Sequence, residues 1–245
     1  GPSTLGTLER KILCGLVPAS RDELIAIVRI ATAHHIPLYP ISTGNNWGYG
    51  NASPVTDSCA IIDLSQMNKI IAIDKKLGLA TVEPGVTSGQ LMENVEKERI
   101  PFIVPITSAG PDCSIIGNVL ERGRSINSPV DRFSSVMALE AVLADGKTYK
   151  SSSSTGSQAF FKWGVGPYLD GLFGQSNLGI VITMTIALAP KPARTESFLI
   201  SIKQDIPLSQ VIEVTREAVQ KLGTTLSSIK IESRHRVIVR IGPYP

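Results

Sequence analysis

Four times between residues 41 and 182 a short apolar run meets a stretch of glycine and other small residues: "ISTGNNWGYG" at 41–50, "VEPGV" at 82–86, "SIIGNVLERG" at 114–123 and "FGQSNLGIVI" at 173–182. Glycine permits φ > 0 and lets a bulky group come close to the main chain. A chain patterned this way places short strands beside bare backbone. One long ligand stretched across the domain explains all four stretches more economically than four unrelated turns.

The segments between them alternate between helix and strand. In "PASRDELIAIVRIATAHHIPLYPI" Ser20 and Glu23 have capping-box spacing, and Leu24, Ile27, Val28 and Ala31 share one helical face. Pro37 ends that helix, and Leu38 to Ile41 forms a short buried strand. "CAIIDL", "KIIAID" and "LATVEPG" are three further strands, with "KKLG" as a hairpin turn between the last two. Thr87 and Gln90 cap a second helix that runs to Glu98, and "IPFIVPI" repeats the helix-to-strand step. "VMALEAVLADGKTY" turns at Asp145-Gly146, and "LGIVITMTIALAP" is a strong strand closed by "PKPA" at 190–193. Those prolines set the expected boundary between a domain over 1–192 and a β-α-β segment over 193–245, the opening of something larger. In that segment a helix from about Ser209 to Leu222 presents Val211, Val214, Ala218, Val219 and Leu222, Gly223 stops it, and "RVIVRI" is a last strand. The expected class is α+β.

With 42% hydrophobic and 18% charged residues the make-up is that of a globular protein with a sizeable core. A formal charge of +3, with basic residues scattered among acids, argues against nucleic acid as a partner. No apolar run reaches the roughly 20 residues that span a bilayer, so no membrane is expected. Cys14, Cys59 and Cys113 are odd in number and lack CxxC spacing, which points to buried free thiols and a reducing, cytoplasmic compartment. His34 and His35 sit at a helix end and HExxH is missing, so no metal is expected.

The first glycine loop fits neither familiar phosphate loop. A dinucleotide fingerprint needs GxGxxG opening a helix, whereas Gly44, Gly48 and Gly50 are followed by "NASPV". A P-loop needs a glycine where Ala141 stands before Gly146-Lys147-Thr148. Successive main-chain N–H groups can nevertheless converge on an anion without a charged side chain. On its own the loop is also ordinary turn chemistry; Trp47 and Tyr49 are the residues a plain turn does not need.

Taken in order, "ISTGNNWGYG", "VEPGVTSGQLMENV", "IIGNVLERG", "MALEAVLADGKTY" and "FKWGVGPYLDGLFGQSNLGIVITMTIALAPKP" resemble the FAD-binding domain of the vanillyl-alcohol oxidase and p-cresol methylhydroxylase (PCMH) flavoprotein family, nearest its phenol-oxidising branch. The resemblance implies a PCMH-type FAD-binding domain of two α/β subdomains, followed by the start of a substrate (cap) domain. It implies that Thr43, Gly44, Asn45 and Asn46, with Trp47, hold the FAD pyrophosphate. By the same resemblance Pro84 and Gly85 lie near the adenine end, Gly117, Asn118, Glu121 and Gly123 line the ribityl and pyrophosphate path, and Gly179, Ile180 and Val181 flank the nucleotide. It assigns Tyr49 to the substrate's phenolic oxygen; the residue alone reads equally as a packed tyrosine bonded to main chain.

The implied chemistry is hydride transfer from a small, phenolic alcohol or alkylphenol to flavin N5. The alternative is a flavin-binding or interaction module without activity of its own. Oxygen, an electron-accepting protein or a second copy of the chain are the further partners this leaves open. After "ERG" the chain departs from the family's aromatic-bearing stretch, with Ile126 and Val130 in place of tyrosines. Asn45 and Asn46 stand in the loop where some relatives carry a flavin-attaching histidine.

Overall fold

The computed structural model describes residues 10–45, 52–104, 110–123, 132–151, 162–164, 166–203, 205–233 and 236–241. Strands β1 (Ile12–Leu16), β2 (Leu38–Ile41) and β3 (Cys59–Asp63) form a parallel sheet in the order β1-β3-β2. The connection from β1 to β2 runs through α1 (Arg21–Ala33). Ser20 caps α1, accepting from the Glu23 N–H at 3.3 Å, while the Glu23 carboxylate takes the Ala19 N–H instead of closing the box.

The larger sheet is antiparallel, in the order β4-β5-β9-β7-β8. It comprises β4 (Ile70–Asp74), β5 (Leu79–Val82), β7 (Val136–Leu143), β8 (Thr148–Lys150) and β9 (Gly179–Ala187). The hairpins expected at "KKLG" and Asp145-Gly146 join β4 to β5 and β7 to β8. Helix α2 (Ser88–Lys97) has the reciprocal Thr87–Gln90 capping box. β6 (Phe102–Ile103) pairs antiparallel with β10 (Ala189–Pro190). The stretch at 114–123, expected as a loop, instead forms helix α3 (Ile115–Leu120).

Two cores lie against the antiparallel sheet. On one face Leu91 and Val95 of α2 and Ile116 and Val119 of α3 pack with Leu139, Val181, Met184 and Ile186. On the other, Leu24 and Val28 of α1 pack between Ile62 of the parallel sheet and Val142, Ile180 and Ile182. β7 and β9 are therefore buried on both sides, which is why they read as nearly continuous apolar runs.

Beyond Pro190, β11 (Glu196–Ser201), β12 (Leu226–Ser233) and β13 (Arg236–Ile241) form a sheet in the order β11-β13-β12, with α4 (Leu208–Leu222) between β11 and β12. The apolar face expected of α4 is only partly used. Val211 is buried and Ala218 and Leu222 are half-buried, but Val214 and Val219 face solvent. Cys59 and Cys113 are buried thiols as expected, whereas Cys14, on the edge strand β1, is exposed. Among the described residues no helix is long and apolar enough to cross a membrane.

Candidate functional site

Strand β2 delivers Thr43, Gly44 and Asn45 beyond its carboxyl end, next to the parallel sheet. Gly44 has φ +70, and beyond its own chain neighbours no atom of the described residues lies within 4 Å of where a Cβ would stand. That is a left-handed turn of the kind glycine favours. The Asn45 amide donates to the Asp112 carbonyl at 3.2 Å, which ties the loop to the turn preceding α3. A Cβ on Gly117 would lie 3.1 Å from Ser42 Oγ, so the first turn of α3 borders the same loop. Asn46, Trp47 and Tyr49 lie outside the described residues.

Serine 114 organises the next part. Its Oγ accepts from the Gly117 N–H at 3.0 Å, capping α3, and donates to the Pro84 carbonyl at 2.7 Å. The Ser88 and Gly89 N–H groups donate to the Cys113 and Pro111 carbonyls at 2.9 and 2.8 Å, so the amino ends of α2 and α3 are fastened side by side. Pro84 and Gly85 sit in the turn between β5 and α2, both buried. Gly85 donates to the Met67 carbonyl at 2.7 Å, and a Cβ there would stand 2.5 Å from the Ser65 carbonyl oxygen. Only glycine allows that approach. Pro84 and Gly85 thus shape the site through Ser114 and the 64–67 turn.

Along α3, the Asn118 side-chain oxygen Oδ1 is buried and has no partner among the described residues. Gly123 leaves room for this carboxamide, with which a Cβ would collide. Glu121 is exposed and faces Tyr39 on β2; burial first, and then the Glu121 carboxylate, raise the Tyr39 pKa above its ordinary value. Gly179, Ile180 and Val181 open β9, opposite Leu143, Val142 and Ala141. The Ile180 and Val181 side chains belong to the two cores, so only their main chain can serve a ligand. β5 pairs with β9 only from Met184 onward, and on that side 179–181 have no strand neighbour among the described residues.

A second polar cluster lies under the same sheet. Asp170, 3% exposed, accepts from Tyr149 Oη at 2.6 Å and Ser151 Oγ at 2.8 Å. Burial and then the Asp170 carboxyl raise the Tyr149 pKa, and the same two causes push that of Tyr168 up to about 12. Arg132 is buried, its main-chain N–H on the Gly123 carbonyl, and burial pushes its guanidinium down to about 10 against the opposing effect of Cys113. The glycine pattern points to the loop and to α3 but not to Ser42, Ser114 or the Asp112 carbonyl.

The residues present fit a dinucleotide with an uncharged diphosphate cradle. The left-handed Gly44 turn offers N–H groups to an anion without a cation, and the buried Asn118 oxygen is an acceptor of the kind an N–H or hydroxyl of such a ligand requires. Together with the three-stranded parallel and five-stranded antiparallel sheets, this defines an FAD-binding domain. Residues 13–152 match the family model described as "FAD binding domain", and the chain belongs to that family, within the vanillyl-alcohol oxidase and PCMH type of flavoprotein. It is 35% identical over 232 residues to 1'-carboxy-chondrochloren decarboxylase of Chondromyces crocatus, matching 93% of this chain and 43% of that protein. It is 37% identical over 203 residues to the flavoprotein subunit of 4-cresol dehydrogenase [hydroxylating] of Pseudomonas putida, matching 80% of this chain and 38% of that one. Among solved structures, p-cresol methylhydroxylase with substrate bound superposes with a TM-score of 0.82 at 27% identity, over 94% of this chain and 52% of that chain. The isoeugenol complex of 4-ethylphenol oxidase from Gulosibacter chungangensis gives a TM-score of 0.86 at 26% identity, over 97% and 54%. The chain thus spans less than half the length of either curated relative.

Proposed function

We propose that this chain is the FAD-binding portion of an oxidoreductase that removes a hydride from a small, phenolic alcohol or alkylphenol. Residues 1–192 form the cofactor domain in this reading, and 193–245 open a cap domain over the reacting end. The observation that carries it is the left-handed Gly44 turn lying beside the first turn of α3, with the buried Asn118 oxygen of that helix lacking a partner among the described residues. The relatives that oxidise cresol and ethylphenol support the substrate class.

In this proposal the main-chain N–H groups of Thr43, Gly44, Asn45 and Asn46, beside Trp47, hold the diphosphate. Pro84 and Gly85 support the adenine end, while Gly117, Asn118, Glu121 and Gly123 follow the ribityl chain. The Gly179–Val181 main chain flanks the nucleotide. Bound FAD supplies the hydride acceptor at N5. Tyr49 holds the substrate's phenolic oxygen and favours its ionised form, which eases loss of hydride from the benzylic carbon para to that oxygen and leaves a quinone methide. Electrons pass on to oxygen or to a partner protein, in a reducing, cytoplasmic setting.

Turnover of a para-alkylphenol with dye reduction tests this, with Tyr49→Phe expected to slow it at least tenfold. A Tyr49→Phe chain as fast as the wild type removes that assignment. The short span relative to the curated relatives favours one second reading, a flavin-binding module whose activity requires further chain. Flavin absorbance without turnover selects it.

A further inference from the structure

Helix α3 has only six residues, too few to hold its own shape, so its position depends on what takes its terminal groups. At its carboxyl end the Asn118 carbonyl accepts from the Gly123 N–H at 2.9 Å and the Val119 carbonyl from the Arg122 N–H at 3.0 Å. This is a Schellman closure, and Arg122, at φ +52, occupies the left-handed position that glycine usually fills. Two carbonyls remain, those of Leu120 and Glu121, and one residue takes both. The Gln175 main-chain N–H donates to Leu120 at 2.9 Å, and its side-chain amide Nε2 donates to Glu121 at 3.4 Å.

Gln175 is itself left-handed, at φ +51. Around it the contact is reciprocal. The Arg122 guanidinium lies over the Phe133 ring, 5.9 Å from its centroid, and Arg122 Nε stands 3.4 Å from where a Cβ on Gly174 would be. Two residues in a backbone conformation that costs free energy therefore face each other across the junction between α3 and the approach to β9.

We propose that Gln175 is a positioning residue for FAD. By taking the two carbonyls that the Schellman closure leaves open, it fixes the Gly117–Gly123 side of the cradle against the Gly179–Val181 side, which begins four residues after it. The inference rests on the FAD reading of the site. In this proposal Gln175 acts through α3 and β9.

The test uses the 245-residue chain, with FAD titrated into apoprotein by flavin fluorescence and apoprotein stability followed by calorimetry. Q175M keeps the side-chain length and the main-chain N–H but removes the amide donor. It is expected to raise the FAD Kd about fivefold, on the order of 1 kcal/mol, with the apoprotein Tm within about 1 °C of wild type. Q175K, which restores a donor at that reach, is expected to recover most of the affinity. A Q175M Kd equal to wild type overturns the clasp alone. A Q175M chain that loses several degrees of apoprotein Tm or does not fold also overturns it, because the residue then holds the fold and not the cradle. A wild-type chain that takes up no FAD overturns the FAD reading and this inference together.

Discussion

Replacing Gly44 separates binding from folding more cleanly than any other change at this site. Its φ of +70 is one that side chains with a Cβ adopt at a cost of about 1–2 kcal/mol. Among the described residues nothing beyond its chain neighbours lies within 4 Å of the missing Cβ, so the backbone cost is the one these residues impose on a side chain there. In the apoprotein the loop can relax out of the left-handed turn and shed most of the strain, leaving Tm within about 2 °C of wild type. Binding FAD requires the turn to re-form, and the full 1–2 kcal/mol then appears in affinity. For Gly44→Ala that is a Kd roughly 5- to 30-fold weaker. Gly44→Val adds a bulkier, β-branched group to that turn and, on the proposed reading that the turn holds the diphosphate, is expected to abolish measurable uptake. Flavin fluorescence titration of the apoproteins, beside calorimetry, reads both quantities. A Gly44→Val chain that binds FAD with the wild-type constant, or one whose affinity and apoprotein Tm fall in proportion, refutes the reasoning.

Three further outcomes follow from the same geometry. Gly85→Ala drives a methyl group to 2.5 Å from the Ser65 carbonyl oxygen and is expected to destabilise the apoprotein by about 3 kcal/mol, seen as a lower urea midpoint at unchanged slope; wild-type stability would contradict it. Tyr168 Oη is buried without a partner among the described residues, so Tyr168→Phe is expected to leave stability equal or raise it by about 1 kcal/mol, and a clear loss would show that the hydroxyl is bonded. Tyr149 and Tyr168 keep their protons above the ordinary tyrosine value near 10, so above that pH the unfolded chain binds fewer protons than the folded one. Their contribution is therefore complete below about pH 10 and is lost as pH rises beyond it. Tyr149→Phe should make the fall in urea midpoint between about pH 9 and pH 11 shallower, and an equal slope would refute the assignment.

What could be read from residues alone divides along physical lines. The caps at Ser20 and Thr87, the apolar stripe of α1 and the strands β3, β5, β7 and β9 are local signals, and each element formed where it was expected. β1 went unread because it is a parallel edge strand with Ile12 and Leu13 half-exposed, so neither alternation nor a buried run marks it. Propensity favours a loop over α3 because Gly117 and Asn118 are poor helix formers; remote partners at Pro84 and Gln175 hold the helix instead. In α4 the valine spacing suggested one broad face, yet the packed stripe runs through Val211, Ala218 and Leu222 and leaves Val214 outside. At the site, glycines advertise themselves by type, which made Gly44, Gly85 and Gly117 legible. Gln175 lies inside the fourth glycine-punctuated stretch, but its pairing with the carboxyl end of α3 exists only in the tertiary structure.

β7 and β9 are a party wall. Each lends one surface to the chamber behind α1 and the other to the chamber behind α2 and α3, so neither chamber can empty without stripping the lining from its neighbour. Heat or denaturant should accordingly dismantle the loop at Gly44 and the helix at Gly117 in a single step, and a flavin held between them would be released all at once.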